Sequence, residues 1–359
     1  MDSRLTRREF LSRTGVSLAF LAGTFWRKHN VLAAQSETIK LKLAYPPSMC
    51  SLPVVLGQER NLFENHGLDL KLTATEGNSD GAMLVAQGGS GGANCCITDL
   101  TSSILAYTRG GQQLSVAYQI FLPSREERYL GLISSSQSEI TTMKQLLRTL
   151  DEAPKNSIVL EMDSDVHYVT DRLLESQDVQ VQQNKYYLPG SNLVRVMMNL
   201  LMGEFMAAVL PEPLLTLALK NPLFGEGRGN LLSSYPETDL LPNVVVFNNQ
   251  FLNRHPDAVN RFAKAWAAAA QETNEASKSL LLKHTMNIIA ATMPGMEGTL
   301  KETTLPKDFE EMFSLPHFHP PDTLPSKDYR SLTGWLSARE LVSEPPVFEE
   351  LTLSSARIN

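Results

Sequence analysis

Cysteine is scarce. The 359-residue chain holds three, Cys50, Cys95 and Cys96, too few for a disulfide scaffold. None forms a CxxC pair, so a structural zinc site has no starting point. No GxSxG, HExxH, P-loop or dinucleotide fingerprint occurs, and with them go the commonest signatures of hydrolytic, zinc-dependent and nucleotide-dependent chemistry. Internal repeats and low-complexity runs are also missing. Basic residues are in the minority, 32 against 39 acidic. Six of the basic and two of the acidic residues sit in the first 34 positions, so the remainder carries 26 basic and 37 acidic residues, a net charge of about −11. Such a surface repels phosphate backbones and argues against nucleic acid as a partner. A single pocket can still run against the net charge, so an anionic ligand stays open. What remains is ordinary: 42% hydrophobic and 20% charged residues, a globular balance in a chain long enough for two domains.

Long apolar runs are absent too. The longest candidate, residues 15–26, is far shorter than the ~20 residues that cross a bilayer. It follows a basic front of Arg4, Arg7, Arg8 and Arg13 and precedes the small residues Ala33 and Ala34. That is the layout of a cleaved signal peptide over residues 1–34. Within it, Thr6-Arg7-Arg8-Glu9-Phe10-Leu11 resembles the twin-arginine export signal, Ser/Thr-Arg-Arg-x-Phe-Leu. The resemblance implies a partner in the twin-arginine export machinery and a periplasmic or other extracytoplasmic location.

The rest alternates strand and helix. Residues 41–45 (LKLAY), 68–73 (LDLKLT), 93–97 (ANCCI) and 114–121 (LSVAYQIF) read as strands, with helices opening at Ser51, Asp80 and Thr101. Alternation predicts a parallel sheet flanked by helices. Ligands of such sheets bind beyond the carboxyl ends of the strands, which nominates loops 46–51, 76–80 and 98–101. The polar stretch 122–128 breaks the pattern and reads as a crossing into a second lobe. There, strands are predicted at 129–134, 157–162, 185–188 and 205–210, with helices at 142–150, from 166, 192–203 and 214–220. Residues 221–230 read as a glycine-rich loop. Residues 241–247 (LPNVVVF) read as the return strand, followed by a long helix at 255–276. The predicted organisation is discontinuous: 35–122 plus 245–359 as lobe 1, and 123–240 as lobe 2.

Four segments resemble the periplasmic solute-binding proteins of the nitrate, sulfonate, taurine and thiamine-precursor type. They are Gly57–Leu70 (GQERNLFENHGLDL), residues 91–99 (GGANCCITD), residues 203–213 (GEFMAAVLPEP) and residues 249–259 (NQFLNRHPDAV). Departures are visible: Gly57 and Asn61 stand for the family's Ala and Gly, Asn94 for an acidic residue, Met206 for Asp. The resemblance implies an α/β, two-lobed periplasmic binding protein fold of type II, each lobe a mainly parallel sheet flanked by helices. It implies hinge closure on a small molecule and a partner in the membrane, an ABC permease. No cofactor, metal or catalytic residue is implied. The ligand class is sulfonate, nitrate or a pyrimidine-like vitamin precursor.

Carried onto this chain, the pocket consists of Ser48, Ser51, Glu76, Asn78, Thr98 and Asp99, with Tyr118 and Gln119 near the hinge, and Asp163, Ser164 and Glu212 from the second lobe. Helix starts at Ser51, Thr101 and Ser164 offer backbone N–H groups suited to an anion; each residue can equally be a cap alone. Glu161, Asp163 and Asp165 alternate near a strand end and read as a solvated cap rather than a catalytic pair. Adjacent Cys95 and Cys96 point to opposite sheet faces. The first and third strands should be neighbours, which leaves a disulfide from Cys50 to one of them open in an oxidising compartment. His317-Phe318-His319 offers two metal ligands but no third. Two other functions share these features: an enzyme on the same fold, as thiamine-pyrimidine synthase is, and a ligand sensor that meets a membrane receptor.

Overall fold

The computed structural model describes residues 37–121, 129–152, 158–181, 186–220, 229–235, 241–291 and 315–353. The segment read as an export signal, the predicted crossing at 122–128 and most of the predicted glycine-rich loop lie outside the described residues.

Two five-stranded mixed sheets organise the chain. The strands are β1 (Ile39–Tyr45), β2 (Leu68–Ala74), β3 (Cys95–Asp99), β4 (Leu114–Phe121), β5 (Leu130–Ser135), β6 (Ile158–Leu160), β7 (Tyr187–Pro189), β8 (Ala207–Pro211), β9 (Gly229–Ser234) and β10 (Asn243–Asn248). Around them lie α1 (Leu52–Glu59), α2 (Leu62–Asn65), α3 (Asn78–Gln87), α4 (Leu100–Arg109), α5 (Met143–Glu152), α6 (Asp165–Glu175), α7 (Leu193–Leu201), α8 (Leu214–Lys220), α9 (Asn249–Arg254), α10 (Ala258–Glu275), α11 (Lys278–Ala291), α12 (Ser326–Ala338) and α13 (Phe348–Leu351).

The first sheet runs β2-β1-β3-β10-β4 and the second β7-β6-β8-β5-β9. In the first, β1 is parallel to β2 and β3, while β10 is antiparallel to both its neighbours. In the second, β6 is parallel to β7 and β8, while β5 is antiparallel to both its neighbours. Each sheet therefore carries one reversed strand. It is the first strand laid down after the chain passes from one sheet to the other, so the chain enters the sheet from the opposite end. The alternation in the sequence predicts the parallel strands but contains no sign of the reversals.

Local chemistry accounts for the elements. In β1, Ile39, Leu41 and Leu43 are buried while Lys40 faces out. β3 is buried throughout, as a central strand must be. Its adjacent cysteines point to opposite sides as predicted: Cys95 joins the core with Leu43 and Phe247, and Cys96 faces α3 at Gly81. All three cysteines are free and buried, so the disulfide left open by the sequence does not form. The neighbours of Cys95 and Cys96 on β1 are Leu43 and Ala44, while Cys50 lies beyond the strand in a short 3-10 turn. The predicted helix at 255–276 is α10, Ala258–Glu275; the short α9 before it ends at Arg254, and Pro256, which cannot donate a backbone bond, stands between them. Strand β9 was missed, since it starts inside a glycine-rich segment. Phe262 of α10 lies 5.5 Å from Phe63 and 5.7 Å from Phe247, each worth roughly 2 kcal/mol of burial.

The C-terminal segment bridges both sheets. Asp322 pairs with Gln119 and Thr352 with Val116, both on β4. Between them, Trp335 of α12 and the following Arg339 donate to Asp171 of α6. No described helix is long and apolar enough to cross a membrane.

Candidate functional site

The loops nominated by the strand-end rule converge. A cavity of about 60 Å³ is lined from the first sheet by Pro46, Pro47 and Ser48 after β1, Gly77 and Asn78 after β2, and Asp99 ending β3. Glu161 after β6, Asp165 and Val166 of α6, and Pro211 of β8 face it from the second. Tyr129 and Asn243, at the start of β5 and β10, complete it near the crossings. One water needs ~10–15 Å³ of such space, so a small molecule has room.

One five-residue turn supplies most of the polar bonds between the lobes. Asn78 N–H donates to Glu161 Oε1 at 2.7 Å, and Asn78 Nδ2 to Oε2 at 3.2 Å. Thr101 N–H donates to Asp165 Oδ1 at 2.9 Å, its hydroxyl at 2.5 Å, and Leu100 N–H to Oδ2 at 3.4 Å. The carboxylates of lobe 2 thus cap the N-termini of α3 and α4, where orphan N–H groups and the helix dipole favour negative charge. Arg109 reaches Asp163 at 3.1 Å on the exposed rim. The chain makes the turn through a left-handed Asp163 (φ 58°), a conformation aspartate tolerates, and Ser164 Oγ donates back to Glu161 O at 2.6 Å. Gly77 makes the approach feasible: a Cβ there would sit 2.5 Å from Glu161 Oε1. Ser48 Oγ and the Tyr129 hydroxyl share a hydrogen bond of 2.7 Å.

Three carboxyl groups share this space, and burial dominates their chemistry. Desolvation pushes Glu161 up to about 7, against the bonds from Asn78 and Ser79 that favour its anion, with Asp80 adding to the rise. Asp165 is pushed up to about 6 by burial, opposed by Thr101 and Leu100. Asp99 lies well above the usual carboxylate range, first from burial, then from the charges of Asp165 and Glu161. Its Oδ1 accepts from Ser102 N–H at 2.6 Å, capping α4. Its Oδ2 is buried and has no hydrogen-bond partner, and neither has Asn78 Oδ1. Burial also pushes Cys50 up to about 11, with Ser48 and Ser51 opposing and Asp99 adding to the rise.

Of the residues nominated from the sequence, Ser48, Asn78 and Asp99 line the cavity. Thr98 stands behind it, donating to Asn78 O at 2.9 Å. Ser51 is buried and donates to Pro46 O at 2.9 Å. Glu76 is exposed. Tyr118 and Gln119 lie on β4, each with a buried oxygen without a hydrogen-bond partner. Asp163 is on the rim and Ser164 braces the turn. Glu212 is buried and accepts from Thr216 N–H at 3.1 Å and its hydroxyl at 2.8 Å, as a cap does. Glu161 and Asp165 are not the solvated cap the sequence suggested: Glu161 is 3% exposed, and both bridge the lobes. The signal was their alternation about Asp163; a sequence cannot show that another lobe lies opposite. The N–H groups of Thr101 are already taken by Asp165. After Ser164, His167 N–H meets Ser164 O, and before Ser51, Cys50 N–H meets Ser48 Oγ. No group of three or more His, Cys, Asp or Glu among the described residues could hold a metal ion.

Residues 34–282 match the model of the NMT1-like family. The chain belongs to the NMT1-like family. No curated protein sequence matches this NMT1-like chain. Solved structures do. The alkanesulfonate-binding protein SsuA from Xanthomonas axonopodis pv. citri, bound to MOPS, is 14% identical with a TM-score of 0.64, over 88% of this chain and 97% of its own. The Candida albicans CA3427 gene product, described as having the generic periplasmic binding protein structural fold, is 14% identical with a TM-score of 0.58, over 86% and 92%. The periplasmic nitrate-binding protein NrtA from Synechocystis PCC 6803 is 11% identical with a TM-score of 0.56, over 71% and 66%. At these identities the likeness shows the fold: this NMT1-like protein is α/β and two-lobed, as its sequence predicts.

Proposed function

We propose that this NMT1-like protein is an exported solute-binding protein that holds a small molecule between its lobes and delivers it to an ABC permease without transforming it. One observation carries the reading: both lobes aim polar groups from strand-end loops into a single cavity, the arrangement a closing clamp requires. Neighbours of the same fold, SsuA and NrtA, bind alkanesulfonate and nitrate. We assign Ser48, Asn78 and Asp99 from lobe 1 and Glu161 and Asp165 from lobe 2 as the groups that meet ligand. The discontinuous lobes, 35–122 plus 245–359 and 123–240, hinge at the two crossings. In this reading the twin-arginine-like segment directs the chain out of the cytoplasm, and the resemblance to solute-binding proteins supports a sulfonate, nitrate or pyrimidine-like solute.

Covalent catalysis needs an activated nucleophile. Cys50 stays a protonated thiol at neutral pH because burial pushes it up to about 11. That favours binding over covalent chemistry.

A thermal-shift series with the full chain tests the proposal. A binder of the folded state raises Tm with dose. Alkanesulfonates, nitrate and aminopyrimidines are the first panel, each followed for turnover by mass spectrometry. A dose-dependent rise with the compound recovered intact is expected. Product formation would move the assignment to an enzyme.

A further inference from the structure

His317 and His319 are not among the residues that line the cavity. Exposure alternates around them: Pro316 and Phe318 are buried, while both histidines face out. That is the period of an extended chain, in which residues two apart share a side. Several local features hold the segment in this form. Pro316 fixes its own φ, and Pro320 keeps His319 extended. Asn274 of α10 grips the residue between the histidines at both ends. Its Nδ2 donates to Phe318 O at 2.8 Å, and its Oδ1 accepts from Phe318 N–H at 2.9 Å. Trp266, also on α10, donates its Nε1–H to His319 O at 3.3 Å. The Phe318 ring is 2% exposed, and its centre lies 5.7 Å from that of Phe121. The backbone that carries the two imidazoles is therefore fixed by the core, and the rings themselves are open to solvent.

The imidazole centres lie 4.9 Å apart, with 73° between the ring planes. A metal ion bound to a ring nitrogen at about 2.0–2.1 Å stands roughly 3.2 Å from the ring centre, so two imidazoles that share one ion at tetrahedral or square angles have centres roughly 4.5–5.3 Å apart. The observed separation falls inside that range with the backbone as it stands. Histidine χ2 is broad, so exposed rings need only turn to aim one nitrogen each at a common point. Imidazole suits copper, nickel and zinc, and copper binds most tightly of the three. We propose that His317 and His319 bind one divalent first-row transition ion, Cu(II) more tightly than Zn(II), in an open site that water or a group from another molecule completes. This goes beyond the solute-binding reading and does not rest on it. Two protein ligands leave two or more positions to outside groups, so the ion exchanges; it does not hold the fold together as four-ligand structural sites do. The Asn274 clamp orients the ligands before the ion arrives, the part that outer partners play at metal sites. The net charge of −7 draws cations toward the chain.

Calorimetry on the untagged full chain tests this, with Cu(II) and Zn(II) chlorides as probes. Cu(II) should bind more tightly than Zn(II). H317Q and H319Q should each weaken both ions by roughly tenfold or more, and the double variant should lose the site. H66Q, at a half-buried histidine outside the motif, should bind as the wild type does. N274A keeps both imidazoles and loses the clamp, so it should weaken binding, though less than either histidine variant. Pulsed EPR of the wild-type Cu(II) form should count two imidazoles on the ion, a reading that stands even if a variant does not fold. Affinity unchanged in the double variant, a loss in H66Q as large as that in H317Q, or fewer than two imidazoles on the ion overturns the site. So does the absence of binding with both ions. None of these results touches the solute-binding reading.

Discussion

Asn78 donates its backbone N–H to Glu161 Oε1 at 2.7 Å, so the first turn of a helix in one lobe is capped by a carboxylate of the other. Asp165 repeats the device at Thr101. Both carboxylates come from the same five-residue turn, which makes that turn the latch between the lobes. Closure and recognition therefore use the same groups, and a ligand that engages them alters the latch directly.

Loss of the latch should open the protein. Glu161→Gln leaves one accepting oxygen where two now serve Asn78, and Asp165→Asn leaves one where Oδ1 serves Thr101 and Oδ2 serves Leu100. A hydrogen bond to a charged group contributes about 1.5–3 kcal/mol, so the double variant should shift the closed-to-open ratio by tenfold or more. Small-angle X-ray scattering should show a larger radius of gyration than the wild type. Gly77→Ala should act in the same direction, because its Cβ would displace Glu161.

Stability of the unliganded protein should fall as pH rises. Glu161 and Asp165 titrate near 7 and 6 when folded, above their ordinary values of 4.5 and 3.8. Between those limits the folded state binds more protons than the unfolded state, so raising pH favours unfolding. The contribution is present in full below about pH 4 and is lost as pH passes 7. Thermal melts at pH 5 and pH 8 should give the higher Tm at pH 5, unless general acid unfolding has already begun, which a flat pH 5–6 segment would reveal.

The C-terminal strap should be worth several kcal/mol. Asp171 is fully buried and accepts from Tyr187 Oη at 2.6 Å, Trp335 Nε1 at 2.7 Å and Arg339 Nε at 2.7 Å. Removing one partner of a buried ion pair costs about 3–5 kcal/mol. Arg339→Met should lose that much in urea titration, and Arg339→Lys should recover only part, since it lacks the planar fork.

The thiols should be silent. Cys50, Cys95 and Cys96 are buried and pushed above their ordinary range. Ellman's reagent should label none in the folded protein and all three in guanidinium.

The sequence announced the strand-end loops because β1, β2 and β3 alternate or run apolar and stop at Pro46, Thr75 and Leu100. Ser48, Asn78 and Asp99 lie in the loops that rule nominates. Glu161 and Asp165 did not, since the same three-carboxylate alternation describes a solvated helix start until a second lobe faces it. The reversed strands β5 and β10 were hidden for a related reason: strand direction depends on which way the chain crosses, and no residue pattern within the strand records it. Glu212, read as a ligand group between two prolines, accepts from Thr216 of its own helix.

The most direct test of the central claim is the thermal-shift series with turnover followed in the same samples. A dose-dependent rise in Tm with the compound recovered intact is the predicted result. Consumption of the compound with a product formed would contradict it, and would make the cavity a catalytic one.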